Sequence, residues 1–308
     1  MKSIAQLFLV IGLASGCSER DKNGKPLDTP TAGVVKVAVD ESLKPLIDAE
    51  IQAFEGIYRN AEIEVTYLSE ADAIDALLRD SARLTVVTRK LSESEEKSLL
   101  NQTITPHQLK IAIGAIALIT NRQHADTLIA LEDLKKILQG KLSALTGPKS
   151  VHPTWSLVVF DDPASGILRF LKDSLSIGDN LPEYCVAVNS NASVVEYVSQ
   201  TPHALGLIDV SWISDRDDST TNSFLSSIRV LAVSRDSAFF QPYQAYIAQG
   251  SYPLVRDIVM ISREARSGLA SGFMAFVASD KGQRIVLKSG LVPATMPIRI
   301  VEINHEPF

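Results

Sequence analysis

The chain has 308 residues, 45% of them hydrophobic and 21% charged, and a formal net charge of −6. That balance describes a globular protein able to bury one large core or two moderate ones, and it excludes a chain disordered or membrane-spanning throughout. A negative balance, with no long basic block and no Lys/Arg stripe interleaved with aromatics, argues against nucleic acid as a partner.

Met1-Lys2 gives a short basic start, Ile4 to Ala14 an apolar stretch with one Gln, and Ala14-Ser15-Gly16 small residues immediately before Cys17. This is the layout of a secretory signal peptide, and the stretch is too short for a comfortable bilayer crossing. Small residues ending at a Cys resemble the bacterial lipobox, with Ala14 where Leu is usual. That resemblance implies export and lipidation of Cys17, with the membrane as partner through the lipid anchor only; a plain secretory signal with an incidental Cys is the alternative. With Cys17 lipidated, the second cysteine, Cys185, has no intramolecular disulfide partner; within Tyr184-Cys185-Val186-Ala187-Val188 it reads as a small buried residue. Ser18 to Gly33 is rich in charge, Pro and Gly without apolar period, and reads as a flexible tether.

From Val34 onward strands alternate with helices. Val35, Val37 and Val39 mark a strand, and Leu43, Leu46, Ile47, Ile51 and Phe54 recur at helical spacing. Ile63 to Leu68 alternates as a strand, Ala71, Ile74, Leu77 and Leu78 mark a short helix, and Leu84 to Thr88 is a third strand ending at Arg89. This order predicts βαβ units and a mainly parallel sheet. Lys110 to Asn121 is a long apolar strand, long enough to leave one sheet and enter another. A helix follows through Leu131, Leu134, Ile137 and Leu138, closed by Gly140. Beyond it come a strand at 158–160, a helix from about Ser165 to Leu175, the Cys185 strand, a helix through Val194, Val195 and Val198, and a strand at 204–210. Ser214 to Ser223 reads as a polar loop before a strand at 228–233. Tyr252 to Ile261 is extended, Gly268 to Ser279 and Gly282 to Ser289 are helical, and Gly290 is placed as a left-handed cap.

The segment Val158-Val159-Phe160-Asp161-Asp162-Pro163-Ala164-Ser165-Gly166-Ile167-Leu168-Arg169 joins a buried strand to a helix whose first turn carries Ser, Gly and Arg. Unpaired N–H groups and the positive dipole end of such a helix favour an anion, and a hydroxyl and a guanidinium beside them would make a small-oxyanion site. An ordinary capped helix accounts for the same residues, with Arg169 pairing Asp173 one turn on.

The order of segments resembles the phosphate-binding protein of the Pst-type ABC importer, within the type II periplasmic binding-protein superfamily, over about Val35 to Ile298. The landmarks are Asp40-Glu41-Ser42, Val87-Thr88-Arg89-Lys90-Leu91-Ser92, Ala115 to Asn121, Leu131 to Lys141, Asn189 to Val195, Ala204-Leu205-Gly206-Leu207, Tyr252 to Arg256 and Gly282 to Pro293. The resemblance implies an α/β, two-lobed fold with two hinge crossings: 34–110 with 250–308 in one lobe, 111–249 in the other, ligand held between them. It implies a monomer that needs no cofactor or metal and gives phosphate or a similar oxyanion to an ABC permease on the periplasmic side of a bacterial membrane. By position, Ser42, Thr88, Arg89, Ser165, Gly166 and Arg169 would bind the ligand, with Asn189 and Asn191 in the turn before another helix.

Three departures stand out. The family commonly has a basic residue before the Ser-Gly and Thr after it, where this chain has Asp161 and Ile167. The acidic residue usual in the third-strand segment falls at Arg83 or Leu84. An acceptor for the proton of phosphate must therefore come from elsewhere, with Asp40, Asp161 and Asp162 the candidates. A sensory or partner-docking lipoprotein of the same fold is the second expectation. An exported hydrolase is the third, although there is no G-x-S-x-G and the five His lack metal-helix spacing.

Overall fold

The computed structural model describes residues 28–141, 155–215, 217–236 and 238–296; the apolar N-terminal segment and Cys17 lie outside the described residues. The first part of the chain runs β1 (Ala32–Asp40), α1 (Lys44–Ile57), β2 (Asn60–Leu68), α2 (Glu70–Leu78), β3 (Leu84–Val87), α3 (Glu93–Asn101) and β4 (His107–Asn121). A middle part follows: β5 (Leu128–Ala130), α4 (Leu131–Leu138), β6 (Leu157–Phe160), α5 (Gly166–Leu175), β7 (Cys185–Ala187), α6 (Asn191–Gln200), β8 (Ala204–Asp209), α7 (Ser219–Ser227), β9 (Ile228–Val230), β10 (Ala232–Ser234), β11 (Phe239–Phe240) and α8 (Gln244–Ala248). The chain then returns through β12 (Val255–Ser262), α9 (Leu269–Ala278), α10 (Asp280–Lys288) and β13 (Val292–Pro293).

The main sheet has the strand order β2-β1-β3-β12-β4-β8-β6-β7, with β9 and β13 also pairing β4. Strands β1, β2 and β3 are mutually parallel, as are β6, β7 and β8, and the antiparallel pairings involve β12 and β4. β3 and β8 are buried along their whole length, which is why they read as unbroken apolar runs rather than alternating ones. β4 serves both halves of this sheet: up to Ala115 it pairs β12, and from Ile116 it pairs β8. The two α/β lobes are thereby joined through one continuous strand, with a second crossing where the chain returns before β12.

Helix amphipathicity follows the apolar spacing. On α1, Leu46, Ile47, Ile51 and Phe54 are buried, and Phe54 meets Phe273 and Phe276 of α9 at 5.3 and 5.4 Å between ring centroids in edge-on contacts. Burying one such side chain is worth roughly 1.5–3 kcal/mol. Gly140 and Gly290 both have positive φ, 71° and 74°, where a side chain would be strained.

The 214–223 segment, read from sequence as a loop, contains the start of α7. Its sequence STTNSFLSS lacks an apolar period because Thr221 is its one fully buried residue, and Asp218 supplies the cap. The 228–233 run is two strands rather than one. Leu231 still donates its N–H to Leu118 of β4, whereas Ala232 donates to Thr127, so the chain changes sheets at that bond. Residues 28–33, tether by composition, lie against the fold, and Asp28 accepts the Leu269 N–H at 2.8 Å.

Candidate functional site

Five strand ends meet between the lobes. β1 ends at Asp40 and β8 at Asp209; Thr88 and Arg89 follow β3, Asp161 follows β6, and Asn189 to Asn191 follow β7. Carboxyl ends of parallel strands are where open α/β sheets hold ligands, because helix N-termini and short loops converge there.

From the first lobe, Asp40 accepts the Ser42 N–H at 3.0 Å and so caps the 3-10 turn Glu41–Leu43. Burial raises its pKa to about 7, opposed by Arg256 and reinforced by the neighbouring Glu70 and Asp161. Ser69 caps α2, which places Glu70 at the first helical position. The Glu70 side chain is 2% exposed. Its Oε2 accepts the Thr88 hydroxyl at 2.6 Å, and its Oε1 lies 3.3 Å from Nε of Arg89. Arg89 also makes a two-pronged pair with Glu95 at 2.7 and 2.8 Å, holding the Glu95 carboxyl down at about 2.

From the second lobe, Ser165 caps α5 by accepting the Leu168 N–H at 3.3 Å. Arg169, one turn in, reaches across to the first lobe: Nε donates to Glu70 Oε1 at 2.8 Å and Nη2 to Thr88 Oγ1 at 3.1 Å. Its Nη1 donates to Asp173 at 3.1 Å, so the local i,i+4 pair and the cross-lobe pair coexist. Gly166 stands against lobe one so closely that a β-carbon there would collide with Glu70 Oε2 and Asp40 Oδ2 and come within 2.6 Å of Thr88 Oγ1.

A second cross-lobe cluster adjoins the first. Asn191 donates from its backbone and side chain to Glu41 Oε2 at 3.0 and 2.8 Å and from its side chain to Asp161 Oδ2 at 3.2 Å, while its carbonyl accepts the Asp209 N–H. Burial pushes the Glu41 and Asp161 carboxyls up, and hydrogen bonds from Asn191 and Ser165 respectively hold that rise back. Arg256, on β12, donates to Asp209 at 2.7 Å and to the Ser42 hydroxyl at 2.9 Å. The Trp212 indole N–H donates to the Ser42 carbonyl at 2.9 Å.

Ser42, Thr88, Arg89, Asp161, Ser165, Gly166 and Arg169 are thus brought to one interlobe region. Asn189 is exposed; its backbone N–H donates to the Asp161 carbonyl at 2.8 Å, and its φ of 72° turns the chain so that Asn191 enters instead. Among the acceptor candidates Asp40 and Asp161 are buried in the region, whereas Asp162 caps a local turn at Ala164. Sequence reasoning did not single out Glu70, Asp209 or Arg256. An acidic residue in a first helical turn reads as a partner for the dipole, and β12 is distant in sequence from everything Arg256 touches, so only the landmark Tyr252 to Arg256 hinted at it.

The region holds the donors an oxyanion needs, in Thr88, Ser165, Arg89, Arg169 and the start of α5. It also holds Asp40, Glu41, Glu70, Asp161 and Asp209, more carboxyl groups than guanidinium groups. A fully charged anion would meet repulsion, whereas one carrying a proton could give it to a carboxylate. Among the described residues no group of three or more His, Cys, Asp or Glu is placed to hold a metal ion, and no helix is long and apolar enough to cross a membrane.

A family model described as a PBP superfamily domain matches residues 25–281. The phosphate-binding protein PstS of Borreliella burgdorferi is 23% identical over 269 residues, 84% of this chain and 89% of its own length. PstS of Pseudomonas aeruginosa is also 23% identical, over 283 residues, 85% of this chain and 83% of its own. Among solved structures, a candidate phosphate ABC transporter substrate-binding protein with bound phosphate from Clostridium perfringens superposes with a TM-score of 0.73 at 20% identity, covering 85% of this chain and 100% of its own.

Proposed function

The chain belongs to the PBP superfamily, and from that membership we propose that it is an exported, lipid-anchored solute-binding protein that holds phosphate, or a similar protonated oxyanion, between its lobes for delivery to an ABC permease. The names of its relatives support phosphate, and the Clostridium perfringens structure, described as a candidate phosphate ABC transporter substrate-binding protein, supports transport. The Cys17 motif supports the anchor, and the order of elements supports lobes drawn at 34–110 with 250–308 and at 111–249. The observation that carries the reading is the meeting of Ser165, Gly166 and Arg169, at the start of α5, with Thr88 from the opposite lobe. Asp40, whose carboxyl burial raises to a pKa of about 7, is suited to accept a hydrogen bond from the ligand's proton when ionised. A carboxylate in that place would favour hydrogen phosphate over sulfate, which brings no proton.

Calorimetric titration with phosphate, sulfate and molybdate tests this. Phosphate should bind saturably, sulfate should not, and Ser165→Ala or Arg169→Ala should each weaken phosphate by roughly tenfold or more, the worth of a hydrogen bond to a charged group. Silence with all three anions would sink the reading. It would favour the second one, a sensory or partner-docking protein of the same fold, which the Glu70 carboxylate's hold on the Thr88 and Arg169 donors supports. Loss of fatty-acid labelling in Cys17→Ser would test the anchor, and labelling that persists would refute it.

A further inference from the structure

We propose that Glu70 is a built-in occupant of the oxyanion cradle: its carboxylate latches the two lobes together, and a ligand is admitted only as that carboxylate leaves. This rests on the oxyanion reading of the cleft.

Glu70 belongs to the first lobe, yet its bonds to Arg169 Nε at 2.8 Å and Nη2 at 3.3 Å cross to the second. Its remaining partners, Thr88 at 2.6 Å and Arg89 at 3.3 Å, are residues that by position should bind the ligand. A carboxylate offers two anionic oxygens to hydroxyl and guanidinium donors as a phosphate edge does, so the two compete for one set of bonds. The start of α5 shows the same substitution, since Gly166 faces the Glu70 and Asp40 oxygens at a distance no β-carbon would tolerate.

The surroundings allow the carboxylate to leave. Arg89 keeps its two-pronged pair with Glu95, and Arg169 keeps Asp173, so neither guanidinium is stranded. Buried polar atoms beside the latch, Asp40 Oδ2 and Nε and Nη1 of Arg256, have no hydrogen-bond partner among the described residues. They are groups that a proton-bearing oxyanion could satisfy. The latch lowers apparent affinity by the fraction of molecules in which it is open, and neutralising it removes that penalty.

Glu70→Gln in the full chain, in mild detergent, separates the possibilities. Amide hydrogen exchange without added anion should quicken at least threefold at 164–169 and 189–193, where the lobes meet, and phosphate should then bind about tenfold tighter than to wild type. Gly166→Ala guards against a folding defect in the first variant. Its added methyl pushes the carboxylate out, so exchange at the same segments should quicken while phosphate affinity falls. Unchanged exchange in both variants overturns the proposal, as does phosphate binding to Glu70→Gln no tighter than to a wild type that binds it. Should neither wild type nor Glu70→Gln bind phosphate, the phosphate reading fails and the exchange result alone decides the latch.

Discussion

Glu50 sits on the buried face of α1 with neither carboxylate oxygen hydrogen-bonded among the described residues, and burial pushes its pKa up to about 9 from an ordinary 4.5. The folded chain therefore holds a proton there that the unfolded chain has released. The cost is absent below about pH 4.5, grows as pH rises, and levels off once pH passes the folded value. At pH 7 it is on the order of 3 kcal/mol. Glu50→Met, similar in volume and apolar, should raise urea stability at pH 8 and much less at pH 5; an equal gain at both would refute the buried-proton account. Glu50 and Glu70 share a lesson in legibility. Each occupies a helical position where an acidic residue is ordinary, and what sets it apart is the surface that another part of the chain lays over it. Ser165, Gly166 and Arg169 were legible because they lie in one helix turn, with chemistry and spacing local to the sequence.

At the scale of elements, helix starts carry much of the local order. Ser92 and Glu95 cap α3 reciprocally, and Ser69, Ser165 and Ser190 cap α2, α5 and α6. The start of α9 is served by Asp28, far away in sequence, together with Glu264, while Gly272 lets Pro30 lie against the helix where a β-carbon would collide with its backbone. Asp28→Ala should cost about 0.5–1 kcal/mol in urea denaturation, Glu264 limiting the loss. No measurable change would mean that residues 28–33 are only loosely applied. Elements with an apolar period, such as α1, α4 and α10, stand close to where the sequence puts them. The polar α3 and α7 and the short α8 bury too little for periodicity to reveal, and they owe their helical state to caps and neighbours.

For the whole molecule, the raised carboxyls of Asp40, about 7, and Glu50, about 9, oppose the lowered one of Glu95, about 2. The first two withdraw stability as pH rises above their ordinary values. Glu95 contributes stability above its ordinary value and loses it as pH falls toward 2. Melting temperature should therefore peak on the acid side of neutrality, near pH 5, and decline toward pH 8.5; a maximum at or above pH 8 would contradict that balance. What the sequence alone determined is the alternation of strands and helices and the Ser-Gly-Arg start of α5, because apolar period, caps and turn residues are local properties, while the two lobes followed from the order of segments that resembles a known family. Only the tertiary structure decided that Glu70, Asp209 and Arg256 join the candidate site, and that of the two asparagines before α6 it is Asn191 that enters it. Their partners lie up to 214 residues apart, as Ser42 and Arg256 do, and a contact across that length of chain comes from closing lobe on lobe, which no local pattern encodes.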